Sequence, residues 1–260
     1  MIRHEVDAWD TERQKKREKM EAIYQFSDGK VVKEDQIKQL LETAIRPGET
    51  VAIEGDNQKQ AVQLSKGLAT VDPKKVNGLH IVMSCTQMQE HLDIFELGIA
   101  EKLDFSYAGN AAKRLPEMIE AGTVKVGAIH TYLEMFSRMF TDLIPNACLC
   151  VAEEADKDGN LYTGPNTEET PTIVEATAFK SGVVIVQVNK LVDKVTRIDI
   201  PGEWVDVVVP TEEPCVIEPI MTRDPQYIKD VHVLQGMMAI KGIYAKHRVT
   251  RMNHGIGFNT

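Results

Sequence analysis

The sequence predicts an α/β fold with an open, mostly parallel β-sheet flanked by helices. Short apolar runs rich in β-branched residues alternate with segments of helical periodicity, which is typical of βαβ units. Several runs are apolar throughout, as expected of strands buried on both faces. Crossovers in such a sheet are right-handed, so the loops that follow the strands share one edge, where ligands bind.

The elements follow one another with little interruption. A helix is predicted over 36–45 and ends at residues 46–48, Arg-Pro-Gly, which favour a turn. Strands are predicted over 50–53, 79–83, 103–107, 124–129, 147–151, 183–188, 205–209, 215–218 and 248–252. Helical periodicity is found over 60–68, 91–100, 111–120 and 224–240.

Three segments are expected along the chain. Residues 1–30 form a charged leader that is predicted to be helical, because 10–20 reads DTERQKKREKM. Residues 31–250 form the α/β domain. The chain ends in a glycine-rich turn, so 251–260 is expected to begin a second domain that is missing here.

Composition excludes several classes of function. The formal net charge of −9 argues against nucleic-acid binding, since phosphate contacts need clustered Lys and Arg side chains. The apolar runs are far shorter than the ~20 residues that span a bilayer. The N-terminus lacks the apolar core of a secretory signal, so we expect a cytoplasmic protein without membrane association.

Cysteine and histidine patterns predict no metal site. There is no CxxC spacing and no HxxxH pair. The turn DKDGN superficially resembles a calcium loop, but the required glutamate is out of place and no helix precedes it. Reduced core thiols are expected at Cys85, Cys148, Cys150 and Cys215.

The first candidate site follows the predicted strand 50–53. Its loop leads into a helix, whose N-terminal N–H groups could hold a carboxylate, a phosphate or the oxyanion of a thioester adduct. Gly55 would let a ligand approach the backbone, and Asn57 and Gln58 could donate amide hydrogen bonds. The alternative, in which Asp56 or Asn57 merely caps the helix, is left open.

Further candidates lie later in the chain. The long polar loop 156–168 contains Thr163, Gly164 and Asn166, and long loops in compact domains are often functional. His130 follows an apolar strand and could line the ligand edge, with a satisfied structural histidine as the alternative. The weaker signals are a GxG at Gly255 and Gly257 and candidate carboxylates at Glu54, Glu153, Glu154 and Glu175. No catalytic triad can be read from spacing.

Six segments carry a family resemblance: IEGDNQKQA, KLDFSYAG, GAIHTYLE, DKDGNLYTGPNTEETPTIVEATAF, IDIPGEWVD and NHGIGF. Together they resemble the malonate decarboxylase α subunits, from Trp9 to Thr260. The segment GNLYTGPNTEETPTIVEATAF is the most specific, because it is long, polar and not demanded by the fold. The family pattern has Asn where this chain has Asp56, which weakens any role for that side chain.

The resemblance implies a CoA-transferase-like fold, of the NagB/RpiA/CoA transferase-like group, and an acyl-carrier-protein transferase. Acetyl on the thiol of a prosthetic group is exchanged for malonate, giving malonyl thioester and acetate. The implied partners are an acyl carrier protein, which carries a dephospho-CoA-derived group, and decarboxylase subunits. In related CoA transferases a glutamate from the second half of the chain attacks the thioester, so that residue is expected outside this sequence.

Thioester exchange needs a carboxylate nucleophile, either a protein side chain or malonate itself, and preorganised donors for the oxyanion. The first loop could supply those donors. Asn166, with Thr163 and Gly164, could shape the acyl pocket if both loops share one sheet edge. A homo-oligomer is left open.

Three other functions compete with this one. The domain could be a non-catalytic module that binds the carrier protein or sibling subunits. It could be another CoA transferase or a protein similar to the citrate lyase α subunit. A sugar-phosphate or nucleotide-binding protein of the same broad fold is the third, since a fold does not fix a function.

Overall fold

Helices and strands alternate along the chain, as the apolar pattern predicts. The computed structural model describes residues 4–56, 58–219, 226, 228–253 and 255. The α-helices are α1 (His4–Ile23), α2 (Ile37–Ala44), α3 (Val62–Leu68), α4 (Glu90–Glu96), α5 (Arg114–Glu120), α6 (Tyr132–Met139), α7 (Thr170–Phe179) and α8 (Asp230–Ala239). The strands are β1 (Thr50–Ile53), β2 (Leu79–Cys85), β3 (Ala100–Tyr107), β4 (Lys125–Ile129), β5 (Ala147–Ala155), β6 (Leu161–Tyr162), β7 (Val183–Leu191) and β8 (Val207–Pro210).

These strands form one sheet with a change of direction near its middle. The order is β4-β3-β2-β1-β5-β7-β8, all parallel, and the short β6 pairs antiparallel with β5. The chain thus adds β2, β3 and β4 on one side of β1 and then returns to the other side at β5. The carboxyl ends of β1 and β5 flank this switch point. The predicted open, mostly parallel α/β fold is confirmed.

Two apolar layers bury the central strands. Val51 and Ile53 face the layer that contains buried residues of α2 to α5. Ala52, between them, faces the layer of α6 and α7, which includes Met135 and Ile173. The switch from one face to the other at each residue is the two-residue period of a strand. Both faces are covered, so the strands are apolar throughout.

Some predicted elements differ from the structure. Strand β4 was expected to be buried, but four of its five residues are exposed, because it is the outermost strand. Segment 215–218 is not a strand and contributes only an isolated bridge between Ile217 and Lys59. Segment 248–252 is irregular and begins at Arg248, whose φ is +51°. Neither segment finds a neighbouring strand with which to form a ladder among the described residues.

Some helix boundaries also differ from those predicted. The helix predicted over 91–100 ends at Glu96, because Gly98 with φ +74° closes it before β3 begins. Helix α6 was not predicted, although Thr131 caps it by accepting a hydrogen bond from Glu134 N. Helix α8 covers the second part of the predicted segment 224–240. A π-helical turn, Ile240–Ala245, follows it.

The end of α1 belongs to the packed core. Met20 and Ile23 are buried, and Lys19 Nζ lies 2.7 Å from Glu49 Oε1. By contacts, the chain forms two compact units, Met1–Ile217 and Glu218–Thr260. The three segments expected from the sequence, 1–30, 31–250 and 251–260, stay a prediction. Among the described residues, no helix is both long and apolar enough to cross a membrane.

Because Gly202 has no side chain, its backbone can pack directly against the turn formed by residues 156–160. A Cβ atom at Gly202 would lie 2.2 Å from Asp158 O and 3.0 Å from Asn160 N, and neither backbone atom can rotate away. We therefore expect Gly202→Ala to lower the free energy of unfolding by about 1–3 kcal/mol, measured by urea denaturation. Gly242→Ala is the control, because nothing lies within 4 Å of its added methyl group. Equal stabilities of the two variants would contradict this expectation.

Candidate active site

Polar side chains gather at the switch point, where β1 and β5 end. Parallel strands direct their carboxyl ends to one edge of a sheet, and the crevice beside a switch point is the usual ligand site of such folds. The loop after β1, residues 54–60, meets the segment 166–170, which leads into α7. The two predicted candidate loops therefore share one edge, as expected from the sequence.

A buried ion pair forms the centre of this cluster. Lys59 Nζ lies 3.0 Å from Glu54 Oε1, and their side chains are 1% and 2% exposed. The Thr170 hydroxyl accepts a hydrogen bond from Lys59 Nζ and donates one to Glu54 Oε1. Val151 N donates to Glu54 Oε2 at 2.8 Å. Both carboxyl oxygens of Glu54 therefore have hydrogen-bond or ion-pair partners. A carboxylate that is buried away from water needs such partners.

Asp56 forms hydrogen bonds within the first loop, residues 54–60, and does not cap helix α3. Its Oδ1 accepts hydrogen bonds from Gln58 N at 2.5 Å and Lys59 N at 2.7 Å. The N-cap of α3 is Ala61, so the alternative in which Asp56 caps the helix is wrong. The backbone oxygen of Gly55 accepts from Ser84 Oγ at 2.7 Å. The loop is thereby held against β2.

The second loop reaches the cluster through one residue. Asn166 is buried, its backbone oxygen accepts a hydrogen bond from Lys59 Nζ at 3.1 Å, and its Nδ2 lies 3.5 Å from Asp56 Oδ2. Thr163 instead donates to Asp199 Oδ2, from both its amide and its hydroxyl, at 3.0 and 2.9 Å. Gly164 adopts φ +79° beside Glu153. Of the three predicted residues, Asn166 alone makes a hydrogen bond to the first loop.

Glu169 is the residue that sequence reasoning missed. It is 2% exposed, and neither carboxyl oxygen has a hydrogen-bond partner within the described part of the chain. It occupies the N-cap of α7 without accepting a hydrogen bond from that helix. Burial raises its pKa to about 8, and the charges of Glu54 and Asp56 act in the same direction. Glu169 is therefore mostly a neutral acid at pH 7.

An aromatic wall extends the same edge beyond β2. The rings of Tyr107 and Tyr132 lie 6.2 Å apart, and Tyr132 stacks on Phe136 at 6.0 Å. Burial raises the pKa of Cys85 and that of Tyr132 to about 12, and the charge of Glu169 contributes to both shifts. These groups are protonated at neutral pH. The Cys85 thiol is consequently a poor nucleophile.

Other predicted site residues lie elsewhere. His130 follows β4, at the far edge of the sheet, where its Nε2 lies 2.7 Å from Asp104 Oδ1, and His80 Nε2 lies 2.5 Å from Asp104 Oδ2. This geometry fits the structural alternative for His130. Gly255 is exposed and lies in the second unit. Asn57 and Gly257 lie outside the described residues.

The other candidate carboxylates have ordinary surroundings. Glu153 pairs with Lys190, at 3.0 Å, and Glu154 accepts a hydrogen bond from Thr196 N at 2.8 Å. Glu175 is partly exposed on α7. Within the described ranges, no group of three or more His, Cys, Asp or Glu residues is arranged to hold a metal ion.

The open parallel sheet with a polar cluster at its switch point is that of an α/β protein whose fold is shared with solved CoA transferases. Glutaconate coenzyme A-transferase from Acidaminococcus fermentans has a similar fold, with a TM-score of 0.55 and 12% identity. That likeness covers 70% of this chain and 75% of the other. At so low an identity it shows the fold alone.

The chain belongs to the family described as "Malonate decarboxylase, alpha subunit, transporter", which matches residues 8–260. It is 54% identical over 253 residues to an acetyl-S-ACP:malonate ACP transferase of Malonomonas rubra, covering 97% of this chain and 46% of that protein. It is 51% identical to a chain of a Pseudomonas malonate decarboxylase hetero-tetramer in complex with malonate, with a TM-score of 0.86 and the same coverages of 97% and 46%. The chain thus spans about half the length of these relatives.

Proposed function

We propose that this chain forms part of an acyl-carrier-protein transferase, which exchanges acetate for malonate on the thiol of a carrier-protein prosthetic group. The supporting observation is the meeting of residues 54–60 with 166–170 at the switch point, since these are the two most polar segments of the family resemblance. The name of the Malonomonas rubra relative describes the same exchange. The family match covers both segments.

The proposed division of labour follows from the hydrogen bonds. Glu54 has both carboxyl oxygens engaged, so it serves as an anchor and not as a nucleophile. The backbone N–H of Gly55 and the side-chain amides of Asn57 and Gln58 are proposed as oxyanion donors. Asn166 ties the second loop to Asp56 and shapes the acyl pocket. The attacking carboxylate comes from malonate or from a glutamate outside this sequence.

The proposed partners belong to the same reaction. An acyl carrier protein would present the thiol of a dephospho-CoA-derived prosthetic group as a substrate, and decarboxylase subunits would consume the malonyl thioester. The Pseudomonas relative is a component of a hetero-tetramer. A cytoplasmic location is part of this proposal.

The test is a direct acyl exchange. The chain is incubated with acetylated carrier protein and isotope-labelled malonate, alone and together with the remaining part of a full-length relative. Mass spectrometry of the carrier is expected to show malonyl in place of acetyl, with release of acetate. Carrier protein without its prosthetic group is the control. Absence of malonyl transfer in both mixtures would contradict the transferase proposal.

A variant connects this exchange to the two loops. Asn166→Asp places a carboxylate beside Asp56 with almost unchanged side-chain shape, and the resulting repulsion displaces the first loop. We expect the exchange rate to fall at least about tenfold, because small misplacements in an active site are costly. Glu175→Gln, on α7 and outside the cluster, is expected to keep the wild-type rate. Equal acyl-exchange rates for the two variants would mean that the exchange does not depend on the contact between these loops.

An assembly module is the second candidate function. One observation favours it: α8 and the π-helical turn carry large apolar side chains that are exposed, at Val231, Val233, Leu234, Met237, Met238, Ile240 and Ile243. A helix that is apolar on all sides is usually buried by another protein surface. Binding of the carrier protein or of sibling subunits without acyl exchange would support this reading over the first.

A further inference from the structure

We propose that Glu169 is a hydrogen-bond donor for a carboxylate ligand, and that malonate binds at the switch point by sharing the Glu169 proton. The identity of the ligand rests on the proposed function. The residue and its protonation state rest on the local geometry.

The first observation is an unpaired acid in a closed polar environment. Glu169 is 2% exposed, and both of its carboxyl oxygens lack a partner among the described residues. The Ser84 hydroxyl near this carboxyl group acts to lower the pKa of Glu169, but burial outweighs that effect, and the Ser84 proton is donated to Gly55 O at 2.7 Å. Buried polar atoms are almost always paired in folded proteins, so an unpaired carboxyl group at a ligand edge indicates a partner that arrives from outside.

The second observation is the start of α7. This helix is ten residues long, and the Glu169 side chain at its N-cap accepts no hydrogen bond from it. A helix N-terminus carries a partial positive charge that favours an anion. An ionised glutamate would normally turn toward those N–H groups. Here Glu169 does not cap its helix, and the charges that act on its carboxyl group are those of Glu54, Asp56 and Glu168.

The charges around Glu169 favour its neutral, protonated form. Glu54 is balanced by Lys59 at 3.0 Å, and Asp56 accepts two backbone hydrogen bonds. A further negative charge on Glu169 would be uncompensated, and burial raises its pKa to about 8. The titratable groups that interact with Glu169 are Glu54, Asp56, Glu168, Cys85 and Tyr132.

A neutral carboxyl group can bind the ligand through an O–H···O⁻ hydrogen bond, which is short and strong. The ionised form has no proton to donate and repels the ligand. Binding is therefore coupled to the protonation of Glu169. Glu168, the preceding residue, is partly exposed.

Calorimetric titration of this chain with malonate, in buffers of different ionisation enthalpy, tests the coupling. For the wild type we expect the affinity at pH 9 to be about tenfold lower than at pH 7, with uptake of about one proton per malonate bound at pH 9. Glu169→Gln keeps a donor of the same shape but cannot ionise. It is expected to bind with an affinity that does not change with pH and without proton uptake at this site.

Two further variants make the result specific. Glu169→Met removes the donor at similar volume, and is expected to bind malonate at least about tenfold more weakly at both pH values while its circular dichroism stays unchanged. Glu175→Gln on the same helix is expected to behave as the wild type. Proton uptake that persists in Glu169→Gln, or wild-type affinity in Glu169→Met, would overturn the assignment.

This measurement needs neither a carrier protein nor turnover. If malonate binds with the expected proton uptake but no acyl exchange occurs, the inference stands and the proposed function fails. If acyl exchange occurs and Glu169→Met keeps the wild-type affinity for malonate, the function stands and the inference fails. A wild-type chain that binds no malonate also overturns the inference.

Discussion

Replacement of Lys59 by methionine is expected to lower the free energy of unfolding by about 3–5 kcal/mol. Lys59 and Glu54 are 1% and 2% exposed, so the variant leaves a buried carboxylate without its counter-charge. The Thr170 hydroxyl also loses the ammonium group that donates to it. Chemical denaturation at pH 7 measures the change. The loss is large because the desolvation cost of the remaining charge is no longer offset.

Two controls separate charge burial from the simple loss of an ion pair. Lys125 pairs with Glu101 at the surface, where the two side chains are 66% and 53% exposed, so Lys125→Met is expected to lower stability far less than Lys59→Met. The double variant Glu54→Gln with Lys59→Met removes both charges and is expected to recover most of the stability. If Lys59→Met were as stable as Lys125→Met, the Glu54 carboxylate would not depend on Lys59.

The sheet could be predicted from sequence because its strands are buried on both faces. Thr50–Ile53 was predicted with its observed bounds, since the polar residues that follow mark its end. Segment 183–188 was predicted as a strand and forms the buried part of β7. A parallel sheet places all following loops at one edge. The shared edge of the two candidate loops is therefore a consequence of the fold.

The buried ion pair could not be predicted in the same way. Lys and Glu side chains are rarely buried, so Lys59 in a polar loop has the pattern of a surface residue. Its partner Thr170 is distant in sequence, and the two meet because β5 returns to the side of β1. A single sequence shows that strands exist but not which strands are neighbours.

Glu169 could not be predicted as a site residue for a related reason. The segment TGPNTEET contains several polar residues, and nothing in their order distinguishes Glu169 from Glu168. The one available signal is Pro171 in the first turn of α7, which places the preceding residues at a helix start. Thr163 and Gly164, in the same loop, lie against Asp199 and Glu153 instead. Burial, and not residue type, distinguishes Glu169.

The pH dependence of stability is expected to change sharply in Glu169→Gln. Burial raises the pKa of Glu169 from 4.5 to about 8, so between these values the folded state holds a proton that the unfolded state releases. This contribution to stability is fully present below pH 4.5 and is lost as pH rises through 8. Its loss amounts to on the order of 4 kcal/mol at pH 8. Removing the ionisable group is expected to make the variant more stable than the wild type by a similar amount at that pH.

Denaturation curves of both proteins between pH 5 and 9 measure this difference, with Glu175→Gln on the same helix as the control. The control is expected to follow the wild type. Parallel curves for Glu169→Gln and the wild type would mean that Glu169 ionises freely in the folded state. A stabilising Glu169→Gln has a further meaning, because a residue that costs stability is usually retained for activity. Since glutamine keeps the shape and a hydrogen-bond donor but cannot ionise, the difference between the two curves isolates the cost of ionising the buried carboxyl group.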